Sequence, residues 1–224
     1  MDPGIPHHVK EHHVHQRHFD RLVMLSDGVF AIALTLSAVE LHPQALPGQS
    51  LLQVWARPLA VYFLSFFLIG VVWLRHRRTL AHLYRVDAPV TVATLVLLSL
   101  VALVPVFIRV LLEDQNASSN NGMLVYALSL MAIYVCLAIG WGYAAFIRHL
   151  APSVAHPRAW GWLLEDLFIA VFFAAAALYS LHWHVLALLA TLIGVGMRFN
   201  VSSLEKKAKA LDEQALEQAG SHDA

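Results

Sequence analysis

The chain carries little charge, one cysteine and no surplus of either sign. Of its 224 residues 13% are charged, and 15 Lys and Arg are matched by 15 Asp and Glu. Without a basic surplus there is no electrostatic basis for binding nucleic acid. A lone cysteine, Cys136, excludes an internal disulfide. Residues 1–20 lack a positive segment leading into an apolar run with a small-residue cleavage site, so no cleaved signal peptide is expected. A Thr-Val-Gly-Tyr-Gly loop is absent, which excludes a filter built from rings of backbone carbonyls. No apolar run carries arginine at every third position, which excludes a voltage-sensing helix.

Apolar side chains fill the space that charge leaves. Hydrophobic residues make up 58% of the sequence and mean hydropathy is +0.61, values that belong to a multi-span membrane protein. Six apolar runs cover 22–41, 52–74, 90–112, 123–147, 160–181 and 185–199. At ~1.5 Å per helical residue, twenty residues cross a hydrocarbon core of ~30 Å. The expected fold is an all-α integral membrane protein of six transmembrane helices in a single repeat. A His-rich tail over 1–20 precedes a membrane domain over 21–200, and a polar tail over 201–224 follows. Pro105 falls inside the third run and is expected to bend it. In the first tail His8, His12 and His15 would share one helical face, a pattern that suits either a solvated tail or a metal or proton site. Asn116-Ala-Ser118 is formally a glycosylation sequon.

With an even number of spans both tails lie on one side. Thirteen of the fifteen Lys and Arg then fall on that side, leaving Arg57 and Arg109 on the other. The positive-inside rule makes the basic side cytoplasmic, with both termini there, as in a multi-pass protein of the plasma membrane.

The first run contains Asp27, flanked by Ser26 and Gly28. A carboxylate within a transmembrane helix costs ~2.5–3.5 kcal/mol at the centre, so it is paired, near an interface or facing water. The second run travels back toward the basic side, which puts Trp73 and His76 at the depth of Asp27. Their N–H groups can donate to a carboxylate, and Arg21 lies one to two turns below on the same helix. These residues form a candidate structural lock between the first two helices; direct ion binding by Asp27 is the other reading. Ser26, Asp27 and His76 could be drawn as a catalytic triad. Adjacent helical side chains point about 100° apart, however, and no base-to-nucleophile geometry follows. Above Asp27, Ile32, Leu36 and Val39 form a stripe, with Thr35 one step round from it. Spacing alone favours lipid-facing or core packing over a functional role.

The run Arg21-x-x-x-Leu25-Ser26-Asp27-Gly-Val-Phe-Ala-Ile-Ala resembles the signature of the transmembrane protein 175 family of potassium channels, with Leu25 in place of a Phe. In the second run Ser65-Phe66, Ile69, Trp73 and His76 have the family's order and spacing. In the third, Val104-Pro105-Val-Phe107 is similar, while Thr91 and Thr94 stand where an Asn is common. A single six-span repeat is like the prokaryotic members. The resemblance implies a homotetramer embedded in lipid, with the first helices lining a central pore. It implies that Ile32 forms the narrowest ring, that Leu36 and Val39 form further layers, and that the Thr35 hydroxyl assists a partly dehydrated potassium ion passing Ile32. Modest selectivity for potassium over sodium, no cofactor, no resident metal, no small-molecule substrate and no enzymatic activity follow from the same resemblance. A secondary transporter or proton pathway using Asp27 is the competing class, although paired broken helices in two halves are absent.

Overall fold

The computed structural model describes residues 7–41, 48, 50–113 and 121–222, with side chains described from Arg17 to Leu204 within those stretches and at Lys206. The side chains of His8, His12 and His15, and the sequon at Asn116, lie outside the described residues. Six helices follow one another: α1 (His7–Val39), α2 (Leu51–Ala81), α3 (Ala88–Glu113), α4 (Asn121–Gly142), α5 (His156–Ser180) and α6 (His184–His222). All six are long and apolar enough to cross a membrane. Among the described residues there is no strand.

The ends of the helices follow from local chemistry. Ser50 caps α2 through a reciprocal bond with Gln53. Asp87 caps α3, its Oδ1 accepting the Val90 N–H at 3.1 Å. The α3 helix runs unbroken through Pro105. The last turn of α4 loosens into a π-helical segment, Tyr143–Ile147. A tight reversal at His182, with φ +61°, joins α5 to α6.

Three boundaries differ from the apolar runs. Helix α2 continues seven residues past Leu74, through four residues of the basic stretch 75–78, because those side chains find partners. The α1 and α6 helices cross positions 20 and 200 without a break.

The core is a seam of interlocked apolar side chains. Phe30 and Ala33 of α1, Ile69 and Val72 of α2, Leu97 and Val101 of α3, and Ile133 and Tyr134 of α4 are buried together. A second cluster around Trp141, Leu80 and Leu150 closes the basic end. There the Trp141 indole donates to the Ala159 carbonyl at 2.9 Å. Asp87 Oδ2 accepts from Tyr143 at 3.1 Å and pairs with Arg148 at 3.3 Å, tying the α2–α3 loop to the α4–α5 loop.

Candidate functional site

Helix α1 has two unlike faces. Leu22, Ser26, Phe30, Ala33 and Ser37 recur at steps of four and three and are buried against the rest of the chain. The Ser26 and Ser37 hydroxyls donate to carbonyls one turn back, Leu22 at 2.7 Å and Ala33 at 2.8 Å, so neither enters the apolar seam unsatisfied. On the other face Ile32, Leu36 and Val39 are 58%, 45% and 63% exposed. Among the described residues no other element of the chain covers them. Thr35 is exposed beside them, with its hydroxyl proton directed to the Ile32 carbonyl at 2.9 Å. That leaves the hydroxyl lone pairs free to face outward.

Below this stripe α1 and α2 are joined by polar contacts. The Trp73 indole Nε1 donates to Asp27 Oδ1 at 2.7 Å. His76 Nε2 lies 3.3 Å from Ser26 Oγ. The Ser26 proton is already committed to Leu22, so the imidazole is the donor in that pair. Both residues belong to the lock expected between α1 and α2, and the contact joins them. Ser26 is only 2% exposed and Asp27 bonds Trp73 rather than His76, so the contact is one of packing. A cavity of about 180 Å³ lies alongside, lined by Phe19, Val23, Asp27, Trp73 and Arg77 among others. A smaller one of about 20 Å³ behind His76 is bounded by Thr94 and Cys136, room for about one water molecule.

Arg21 is not brought to Asp27. Among the described residues no ion pair joins them, and the reason is angular: six residues along a helix is a rotation of about 120° from the starting face. At the far end of α1 a contact that sequence reasoning missed takes hold. Arg109 Nε of α3 lies 3.4 Å from Glu40 Oε2. The segment bearing Ile32, Thr35, Leu36 and Val39 is thus bracketed by polar bonds at both ends.

The other contact missed from sequence lies between α2 and α5. Arg75 Nη1 is 2.6 Å from Asp166 Oδ1 and 3.2 Å from Glu165 Oε2, and Arg78 Nη2 is 3.5 Å from Glu165. The signal was present: Glu165-Asp166 is an acidic pair inside an apolar run, at the depth of Arg75.

Trp73→Phe keeps the aromatic body and removes the donor to Asp27. Bonds to charged groups contribute ~1.5–3 kcal/mol when buried; for a carboxylate this exposed, about 1 kcal/mol is expected. The measurement is thermal unfolding in detergent, and an unchanged midpoint would show that the bond adds nothing to stability.

Comparison with known proteins agrees with this architecture. The family described as endosomal/lysosomal potassium channel TMEM175 matches residues 21–105, the stretch that holds α2 and most of α1 and α3. A potassium channel of Streptomyces collinus is 31% identical over 147 residues, covering 62% of this chain and 71% of that protein. A potassium channel of Chamaesiphon minutus is 33% identical over 144 residues, covering 60% and 70%. The crystal structure of a lysosomal potassium-selective channel TMEM175 homolog from Chamaesiphon minutus superposes with a TM-score of 0.59 at 26% identity, covering 80% of this chain and 98% of that one. With six membrane-spanning helices in the same arrangement, and relatives matched over more than two thirds of their length, this chain belongs to the TMEM175 family of potassium channels.

Proposed function

We propose that four copies of this chain assemble around an axis and conduct potassium passively, with α1 of each copy lining the conduit. One observation carries this reading. In a family of channels, the Ile32, Leu36 and Val39 stripe is left uncovered by its own subunit while the opposite face of α1 is buried. Ile32 forms the narrowest ring, and Leu36 and Val39 continue it. The threonine hydroxyl at position 35 offers oxygen lone pairs to an ion that has lost part of its hydration shell at Ile32.

A hydrocarbon ring cannot replace the lost water, so discrimination follows the cost of dehydration. Potassium sheds water more cheaply than sodium, which makes the selectivity modest, and the same ring can close by dewetting. A conduit made from one helix per chain requires cyclic symmetry, so a lone subunit does not conduct.

Asp27, Ser26, Trp73 and His76 lock α1 to α2, with Arg21 at the cytoplasmic mouth outside the lock. Both tails, 1–20 and 201–224, are cytoplasmic, around a membrane domain over 21–200 in the cell membrane. The ion is the only ligand: no cofactor, resident metal or small-molecule substrate is required, and lipid and sister subunits are the partners.

The test is purified protein in liposomes. The expected results are potassium flux that follows its gradient without saturating, and a cross-linked mass of four chains. A second reading, transport through Asp27, draws on the exposure of that carboxylate beside the 180 Å³ cavity. Saturable flux coupled to a proton gradient would favour it and overturn the channel.

A further inference from the structure

Apolar packing accounts poorly for the position of α2. Of its 31 residues only Ser65, Ile69, Val72, His76 and Leu80 are buried, and Phe63, Leu64, Phe67 and Leu74 are exposed. It shares little backbone contact with α5. In hydrocarbon an apolar helix has no hydrophobic reason to prefer protein over lipid tails, so polar bonds and close packing set its rotation and depth.

Two sets of polar bonds join α2 to the α3–α6 bundle. Toward the far end Ser65 Oγ and Tyr126 Oη lie 2.9 Å apart. At the basic end stands the cluster of Arg75 and Arg78 with Glu165 and Asp166. Asp166 is 3% exposed, and both guanidiniums lie against aromatic rings, Arg75 at 5.9 Å from Tyr134 and Arg78 at 4.3 Å from Trp162. Two cations and two carboxylates cancel. Among the described residues Arg78 Nε is buried with no hydrogen-bond partner.

The neighbours of Arg75 along α2 give the cluster its reach. Trp73, two residues before, donates to Asp27, and His76, the next residue, donates to Ser26. A single turn of α2 therefore grips α5 on one side and α1 on the other. We propose that Arg75, held by Asp166 and Glu165, is a positioning element for ion selectivity. It fixes the rotation of this turn, hence the place of Asp27 and the direction in which α1 presents Ile32. The inference rests on the reading that α1 lines the conduit. Asp166 is buried, and α1 shares little backbone contact with α5. The route from Asp166 and Glu165 to α1 that is made of polar bonds runs through α2.

The test compares wild type with Asp166→Asn, Asp166→Glu, Arg75→Lys and the exchange Arg75→Asp with Asp166→Arg, each purified as the assembled protein and reconstituted in liposomes. Potassium and sodium fluxes are measured side by side. Asp166→Asn is expected to change the potassium-to-sodium ratio about threefold or more, the scale typical of coupling through a packed network. Arg75→Lys gives a smaller change, and Asp166→Glu and the exchange return toward the wild-type ratio. An assembled Asp166→Asn protein with an unchanged ratio overturns the proposal, as does loss of assembly in every variant, which would make the cluster purely structural. Wild-type protein that conducts no potassium passively overturns the channel reading itself, a result distinguishable from either of these.

Discussion

Ile32→Ala is expected to raise sodium flux about tenfold and to bring the potassium-to-sodium ratio toward one. If four isoleucines form the narrowest ring, the substitution removes three carbons from each side of it at once. The wider ring lets a cation keep more of its water, and the larger relief goes to sodium, whose shell is held more tightly. A barrier lowered by about 1.4 kcal/mol is a tenfold change in rate, a small share of the cost of stripping a water from an ion. Fold stability should hardly change, because Ile32 is 58% exposed in the subunit and contributes little to its core. Paired flux measurements check the first part and thermal unfolding the second. Unchanged fluxes in stable, assembled protein would place the constriction elsewhere along α1. A widened ring should also wet more readily, so the alanine variant should spend less time closed in single-channel records.

Arg75→Met should produce the largest loss of stability. The substitution keeps much of the side-chain length but leaves Asp166, 3% exposed, facing a sulfur and methyl group instead of a guanidinium. Stranding one member of a buried ion pair costs about 3–5 kcal/mol. Arg78 still reaches Glu165 at 3.5 Å but has no comparable bond to Asp166. The expected outcome is a sharply lower unfolding midpoint in detergent, or loss of monodisperse protein. Adding Asp166→Leu should restore most of the loss, since an apolar pair of similar volume replaces a buried ion pair at little cost. If the single variant were as stable as wild type, the bond would be of no consequence to folding. If the double variant stayed as weak as the single one, the loss would come from Arg75 packing against Tyr134 and not from the stranded charge.

The six spans were legible in the sequence because hydrocarbon imposes one requirement on every residue within it: run length and apolarity alone report them. The pairing of Trp73 with Asp27 was legible from depth, since helices of known direction put both residues near the same interface. The failures have a common physical origin. Depth carries no azimuth, so Arg21 looked close to Asp27 although the helix turns it about 120° away. Charge at the end of a run was read as a boundary, yet Arg75 and Arg78 extend α2 because Glu165 and Asp166 meet them from α5. That meeting joins positions 90 and 91 residues apart, and no local pattern encodes which two helices will be neighbours. The same holds for Glu40 and Arg109. The π-helical turn over Tyr143–Ile147 had no proline or glycine inside it to announce it.

The α1 helix runs from His7 to Val39 without a proline. Without a proline it carries no obligatory kink. At ~1.5 Å per residue, Arg17 and Ile32 are separated by roughly 22 Å of continuous helix. If the Ile32 stripe lines a conduit, a push or twist applied near Arg17 reaches it as a tilt or rotation of the helix. In that arrangement the Trp73–Asp27 bond would be the fulcrum about which α1 tilts.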